Sequence, residues 1–213
     1  SGTALIENSF ATGNVSGSNT GRDVGGFVGG HSKGTIRNSY ATGNVTGNGP
    51  VGGFVGVMNG EGIIEDSYAT GSVISKNPPA QDGSGGFAGT IGGTAAAIDQ
   101  IHRCYSSGSV NGVNSDAVGG FVGRDANSAI ISDSFSISSV VSTGVQVGPF
   151  SGQNNISLSS SYYFSGSSCS GCDNALGNAN GSLASFYHPN TSFGFTWDNV
   201  NIWNFGAGLP TFK

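Results

Sequence analysis

The feature that most constrains this chain is an internal repeat. The segments IENSFATGNV (6–15), IRNSYATGNV (36–45) and IEDSYATGSV (64–73) are followed by the looser IHRCYSSGSV (101–110) and ISDSFSISSV (131–140). Each is followed, after a loop of variable length, by a second block: GGFVG at 25–29 and 52–56, GGFAG at 85–89, GGFVG at 119–123 and GPFSG at 148–152. A faded sixth copy of the first block begins near LSSSYYF (158–164). The first-block aromatics Phe10, Tyr40, Tyr68, Tyr105, Phe135 and Tyr162 are 30, 28, 37, 30 and 27 residues apart. Insertions therefore fall within a fixed frame.

The blocks are rich in Val, Ser, Thr, Gly and aromatics and lack the Leu/Ala/Glu/Lys composition of helices, so they read as short strands between Gly/Asn turns. Of 213 residues 39 are Gly, yet with only 6 Pro and no glycine at every third position the chain is not collagen-like. A net charge of −5 with 13 Phe, 6 Tyr and 2 Trp argues against disorder by charge repulsion. Blocks that recur every turn stack like side chains on one another, which predicts an all-β, right-handed parallel β-solenoid of five to six rungs.

Tolerance within the repeat says which ladders face inward. The second-block aromatic is Phe27, Phe54, Phe87, Phe121 and Phe150, never Tyr, which marks a site with no partner for a hydroxyl. The columns headed by Ile6 and Val15 are also expected inside. The first-block aromatic alternates between Phe and Tyr, so its edge should reach solvent or a backbone acceptor. Asn8, Asn38, Asp66 and Asp133 form an Asx column at a corner, which Arg103 interrupts. The repeat is gone after residue 173, where Trp197, Trp203 and several Phe accumulate; residues 174–213 are expected to form a C-terminal capping segment of the same domain as the solenoid of residues 1–173. The first repeat begins within about five residues of the N-terminus, so covalent continuation of a larger chain is expected there.

GGFVG blocks alternating with I-x-N-S-Y-A-T-G-x-V resemble the GLUG repeat of large secreted or surface-attached bacterial proteins, among them adhesins and immunoglobulin-A-cleaving metallopeptidases. The resemblance covers roughly residues 4–165 and implies an extracellular or cell-surface stalk or adhesive region, with any catalysis in a separate domain. The chain departs from the motif in having Phe where its name has Leu, in long loops at 74–84 and 90–100, and in decay after residue 130. The function expected is a non-enzymatic adhesive or spacer module that binds a host, prey or neighbouring-cell surface glycan or protein.

Recognition usually sits on loops projecting from a rigid scaffold, and exposed aromatics stack on sugar rings. Candidate contacts are the inserts Ile74–Ser84 and Thr90–Gln100 and the aromatics Tyr162, Tyr163, Tyr187, Trp197 and Trp203, against the alternative that the tryptophans simply seal the core. Asp82 and Asp116, with Asp23, precede the core Phe of three rungs by four or five residues and are expected to line one edge. Their bland reading is solubilising charge; their sharper one is calcium, and no other cofactor or metal site is expected. Cys169 and Cys172, in C-S-G-C, lack the further ligands a zinc site needs and read as a small loop disulfide, leaving Cys104 a buried thiol.

Two rival functions deserve weighing. A carbohydrate-active β-helix enzyme needs two carboxylates converging on a groove, and the nearest cluster, Glu61, Glu65 and Asp66, has no basic residue close in sequence. An ice-binding solenoid needs a regular threonine face, but Thr12, Thr42 and Thr70 give way to Ser107 and Ile137. Seven scattered basic residues and a pI near 4.8 exclude a nucleic-acid footprint. No apolar run reaches the ~20 residues that would cross a bilayer, so no membrane insertion is expected.

Overall fold

The computed structural model describes residues 4–18, 22–76, 82–92, 97–113, 115–126, 129–153, 156–173 and 176–213. They form a parallel β-solenoid in which each rung contributes a strand to three faces. One face runs through Leu5–Glu7, Val28–Ala41, Val55–Ala69, Gln100–Ser106 and their successors. The second stacks Val15–Ser16, Val45–Gly47, Val73–Ser75, Ser109–Gly112, Ser139–Ser142 and Cys169–Ser170. The third stacks Val24–Gly25, Val51–Gly52, Gly83–Gly85, Ala117–Gly119 and Gln146–Gly148.

Registers follow the sequence frame despite the variable loops. Ile36 pairs with Ile6 and Ile64, Ile101 with Ile64 and Ile131, and Leu158 continues the column. Val15, Val45, Val73, Val110 and Val140 form a second column, whose next member is Cys169. From the second rung to the fifth these Ile and Val side chains are fully buried. The second-block phenylalanines stack face to face at 4.7–4.9 Å, and Phe54, Phe87, Phe121 and Phe150 are sealed from solvent. The glycine pair before the first four rings is what lets neighbouring rungs close this far: a Cβ on Gly53 would collide with the Gly86 carbonyl.

The corner column has a shared backbone solution. Asn8, Asn38, Asp66, Arg103, Asp133 and Ser160 all adopt left-handed φ, at 51°, 50°, 46°, 53°, 48° and 44°. Asn and Asp tolerate this conformation because their side chains bond locally. Arg103 interrupts the chemistry of the column but not its geometry, at a strain on the order of 1–3 kcal/mol. The adjoining serines close a second ladder: the Ser39 amide donates to Ser67 Oγ at 3.3 Å, while Ser39 Oγ donates back to the Arg37 carbonyl at 2.8 Å. Cys104 occupies this column between Ser67 and Ser134, fully buried.

The C-terminal stretch is aromatic-rich and covers the side of the solenoid. Parallel pairing continues through Asn178–Asn180, which adds to Tyr162–Phe164. Beyond it come a 3-10 turn (Leu183–Tyr187), a short helix (Pro189–Phe193) and an antiparallel pair, Trp203–Asn204 with Thr211–Phe212. These elements lie along the flank of the solenoid over the first-block aromatics. Trp203 and Phe212 pack on Tyr68, Trp197 on Tyr105 and Phe135, and Phe193 on Tyr162. The aromatic alternation is explained by this cover: the Tyr105 hydroxyl donates to the Pro210 carbonyl at 2.7 Å, a backbone acceptor as the Phe/Tyr variation predicts.

Candidate functional site

The residues predicted to bind fall into distinct surroundings. Trp197 and Trp203 are 2% and 0% exposed, so neither offers a face to a ligand, and their place among the candidate contacts is corrected. Each is spent on the flank seal. The Trp197 indole donates to the Asp133 carbonyl at 2.9 Å and the Trp203 indole to Asp66 Oδ1 at 3.0 Å. Tyr162 is stacked on Phe193 with centroids 4.2 Å apart, and Tyr187 is half-buried in its 3-10 turn. Of the inserts, residues 77–81 and 93–96 lie outside the described residues.

Tyr163 has a different setting. Its strand alternation turns it against the main core, and with Phe164, Pro149 and the Cys169–Cys172 disulfide it borders a groove of about 410 Å³. Ser165, Ser167 and Asp173 supply its polar rim. Gly171, at φ +84°, makes the tight turn between the two cysteines. Asp173 Oδ1 accepts the Val147 amide at 2.7 Å, so this carboxylate is partly committed to holding the groove's edge. Flat apolar faces with hydroxyls around them suit a sugar or an extended peptide.

Asp82 and Asp116 are neighbours because the strands they precede pair Gly83 with Ala117. Asp23 does not join them. Its strand pairs Val24 with Val51, and Val51 with Ser84, which places Asp23 one residue out of phase, the same offset as its spacing of four rather than five residues from the core Phe. Burial pushes the Asp82 carboxyl up, while Arg22 and Arg124 pull it down and Asp23 works against them. Asp116 borders a smaller groove with Arg124, Gln146 and Gln153. With guanidinium groups set among the carboxylates, this edge is a mixed-charge surface. Among the described residues no three His, Cys, Asp or Glu side chains are placed to hold a metal ion.

Two polar centres escaped the sequence reading. In the first, Arg103 bonds Asp66 through Nε (2.9 Å) and Nη2 (2.8 Å) and reaches Glu65 through Nη2 at 2.6 Å. Burial opposes its charge, yet the Asp66 and Glu65 carboxylates hold the guanidinium above its ordinary range. The acidic cluster thus has a basic partner, brought from 37 residues away by the repeat. In the second, the buried Asp99 carboxylate accepts the amides of Gly62 (3.0 Å), Gly60 (3.2 Å) and Gly92 (3.3 Å). Burial nevertheless pushes its carboxyl up, and burial pushes the neighbouring His31 imidazole down. Asp99 therefore pins the base of the insert Thr90–Gln100 to the preceding rung. A lone Asp between Ile98 and Gln100 carries no signal for this.

His102 is also spent structurally, with Nδ1 2.7 Å from Ser132 Oγ and Nε2 3.0 Å from Gln100 Oε1. Thr12 and Thr42 are exposed and Thr70 half-exposed, beside the bends that follow Ala11, Ala41 and Ala69.

The GLUG motif matches residues 20–46 and 47–74, the two segments that run through the second and third first-blocks. Two consecutive stretches of the solenoid carry the GLUG motif. The chain is similar to a crystal structure from Bacteroides ovatus described as "a putative immunoglobulin A1 protease", with a TM-score of 0.68 and 20% sequence identity. The alignment covers 98% of this chain and 75% of that one, and at this identity the likeness establishes a shared fold. No curated protein matches the sequence. No helix among the described residues is long and apolar enough to cross a membrane.

The solenoid also fixes how the tyrosines ionise. Burial, reinforced by the neighbouring Tyr40, pushes the Tyr68 phenol from 10.0 up to about 12, and burial pushes Tyr105 well up too. A pKa raised in the folded state means that stability is complete below pH 10 and is lost as pH rises through about 12. An alkaline titration should therefore show Tyr68 and Tyr105 forming phenolate late and together with loss of the β-sheet circular dichroism signal. Their titration near pH 10 in a folded chain would contradict the burial described.

Proposed function

We propose that this chain is a non-enzymatic adhesive module of a larger, extracellular bacterial protein, displayed at or secreted from the cell surface. The observation that carries the reading is how the described acidic groups are used. Asp66 and Glu65 are neutralised by Arg103, Asp99 is wrapped by three amides, and Asp82 and Asp116 sit beside Arg124. Glycosidase chemistry needs a proton-donating carboxyl and a second carboxylate on opposite sides of one substrate bond. Glu65, Asp66 and Asp99 are instead spent on holding rungs and loops, and Asp82 and Asp116 lie on a mixed-charge edge. What remains for recognition is surface: the Tyr163 groove and the loops of a rigid repeat, suited to a cell-surface glycan or protein.

The GLUG motifs support the setting, and the likeness to the Bacteroides ovatus structure supports a common scaffold. The test is a screen of the whole chain against glycans and intact cells, with and without EDTA. Saturable binding unaffected by EDTA is expected. EDTA-sensitive binding would return calcium to the loop aspartates, polysaccharide cleavage would make the chain an enzyme, and clean absence of binding by a folded sample would leave a spacer.

A further inference from the structure

The geometry points to Ser132 as an activated nucleophile that takes an acyl group from an activated ester once per chain. This modification site goes beyond the adhesive reading and does not depend on it. The repeat builds it on two neighbouring strands of the first face, where Gln100–Ser106 pairs with Ile130–Ser132 and His102 stands opposite Ser132. Alternation along the strands puts Gln100 and His102 on one side with Ser132, away from the buried Ile101 and Ile131. All three side chains are half-buried, so a small reagent can reach them.

The two hydrogen bonds that hold His102 also set its chemistry. Gln100 Oε1, 3.0 Å from Nε2, can only accept, so the ring proton resides on Nε2. The lone pair of Nδ1 then faces Ser132 Oγ at 2.7 Å and accepts its proton. Burial pushes the imidazole down and Arg103 on the same strand adds to this, while Glu65 on the preceding strand, with Asp133 and Asp66 at the corner, pulls it up without reversing the direction. His102 is therefore unprotonated at neutral pH. A hydroxyl, a base within reach and a third group that orients the base make the arrangement that activates a serine. The serines of the corner column lack it: Ser39, Ser67 and Ser134 donate to the backbone carbonyls two residues before them.

In the step, the Ser132 Oγ proton passes to His102 Nδ1 as Oγ bonds the acyl carbon of the ester. The bond from that carbon to the leaving oxygen breaks, and the leaving group takes the proton from Nδ1. An ester on Ser132 and a neutral imidazole remain. The chemistry stops there for two reasons. Ser132 lies in a strand paired on both sides and the next amide, that of Asp133, donates to the Ser159 carbonyl at 3.2 Å, so the backbone donors that could hold an oxyanion are engaged in the ladders. An alkyl ester is also a poorer acyl donor than the aryl ester that formed it.

The experiment treats the full chain with p-nitrophenyl acetate across the titration range of histidine and locates acetyl groups by peptide mass spectrometry, for wild type, Ser132→Ala, His102→Gln and Gln100→Glu. The expected result is about one acetyl group per chain, on Ser132, absent from Ser132→Ala and formed at least about a hundredfold more slowly in His102→Gln. Gln100→Glu sets a carboxylate against Nε2 and favours the imidazolium, so its rate profile shifts to higher pH with Ser132 still the site. A residue that merely braced the strand would leave that profile in place. Acetyl groups spread over Lys33, Lys76 and Lys213, with Ser132 no faster than the exposed Ser159 opposite it, would overturn the assignment. So would a Ser132 rate unchanged in His102→Gln, or a Gln100→Glu profile that does not move. Nitrophenol released well beyond one equivalent, and lost in Ser132→Ala, would overturn the single acylation and the non-enzymatic reading with it.

Discussion

Phe87→Ala is expected to destabilise the whole solenoid by about 3–5 kcal/mol, read as a lowered urea midpoint with circular dichroism and fluorescence falling together. Phe87 stacks on Phe54 on one side and Phe121 on the other, each 4.9 Å away, and no solvent reaches any of the three rings. Removing the middle ring leaves a cavity whose walls are two rigid rings held by glycine-paired backbone, so collapse cannot refill it. Because each rung contacts chiefly its neighbours, a weakened central rung lowers the stability of the rungs on both sides of it. A loss below about 1 kcal/mol would mean that the stack adds little to stability beyond what the Ile and Val columns provide.

Trp203→Ala should cost a similar amount, about 3–5 kcal/mol, but in a different place. Trp203 is buried between the flank and the ladder, packed on Trp197 (4.5 Å) and Phe212 (4.7 Å), and bonded to Asp66. The predicted phenotype is local: limited proteolysis releases the segment after Asn180 while the parallel rungs keep their circular dichroism. Asp66→Asn separates packing from charge, since Asn keeps the left-handed φ of 46° and an acceptor for the indole but loses the Arg103 ion pair. It should cost about 1.5–3 kcal/mol by the same proteolysis assay. If Trp203→Ala instead unfolds everything at once, the flank is part of the folding unit and not a layer added to it.

The inward ladders were legible because each is written in the sequence several times over. Phe27, Phe54, Phe87, Phe121 and Phe150 share one environment, so their refusal of Tyr reports a dry site without any structure. The faded copy at 158–164 was legible for the same reason, and Tyr162 takes its place opposite Phe135. What happens once in the chain could not be averaged in this way. Arg103 looked like a lapse in the Asx column, yet its partner Asp66 stands one rung away, a neighbour only after stacking. Cys169 read as one half of a loop disulfide, and its second identity, as successor to Val140 in a core column, was hidden by the decay of the surrounding block.

The candidate site was the least legible part, for a physical reason. An aromatic residue reads the same in sequence whether it seals or binds, and the outcome depends on what lies over it. Trp197 and Trp203 turned inward because a flat uncovered ladder awaited them.

That return also sets where the molecule resists being pulled apart. The flank is fastened separately to the third rung at Asp66, the fourth at Tyr105 and the fifth at Asp133. It works as a splint across joints that would otherwise open one by one. Tension along the axis must shear these lateral fastenings as well as the ladders between rungs three and five. Phe212, at the flank's last strand, reaches Tyr40 of the second rung. A rod made this way is stiff through its middle, where the flank ties three successive rungs together.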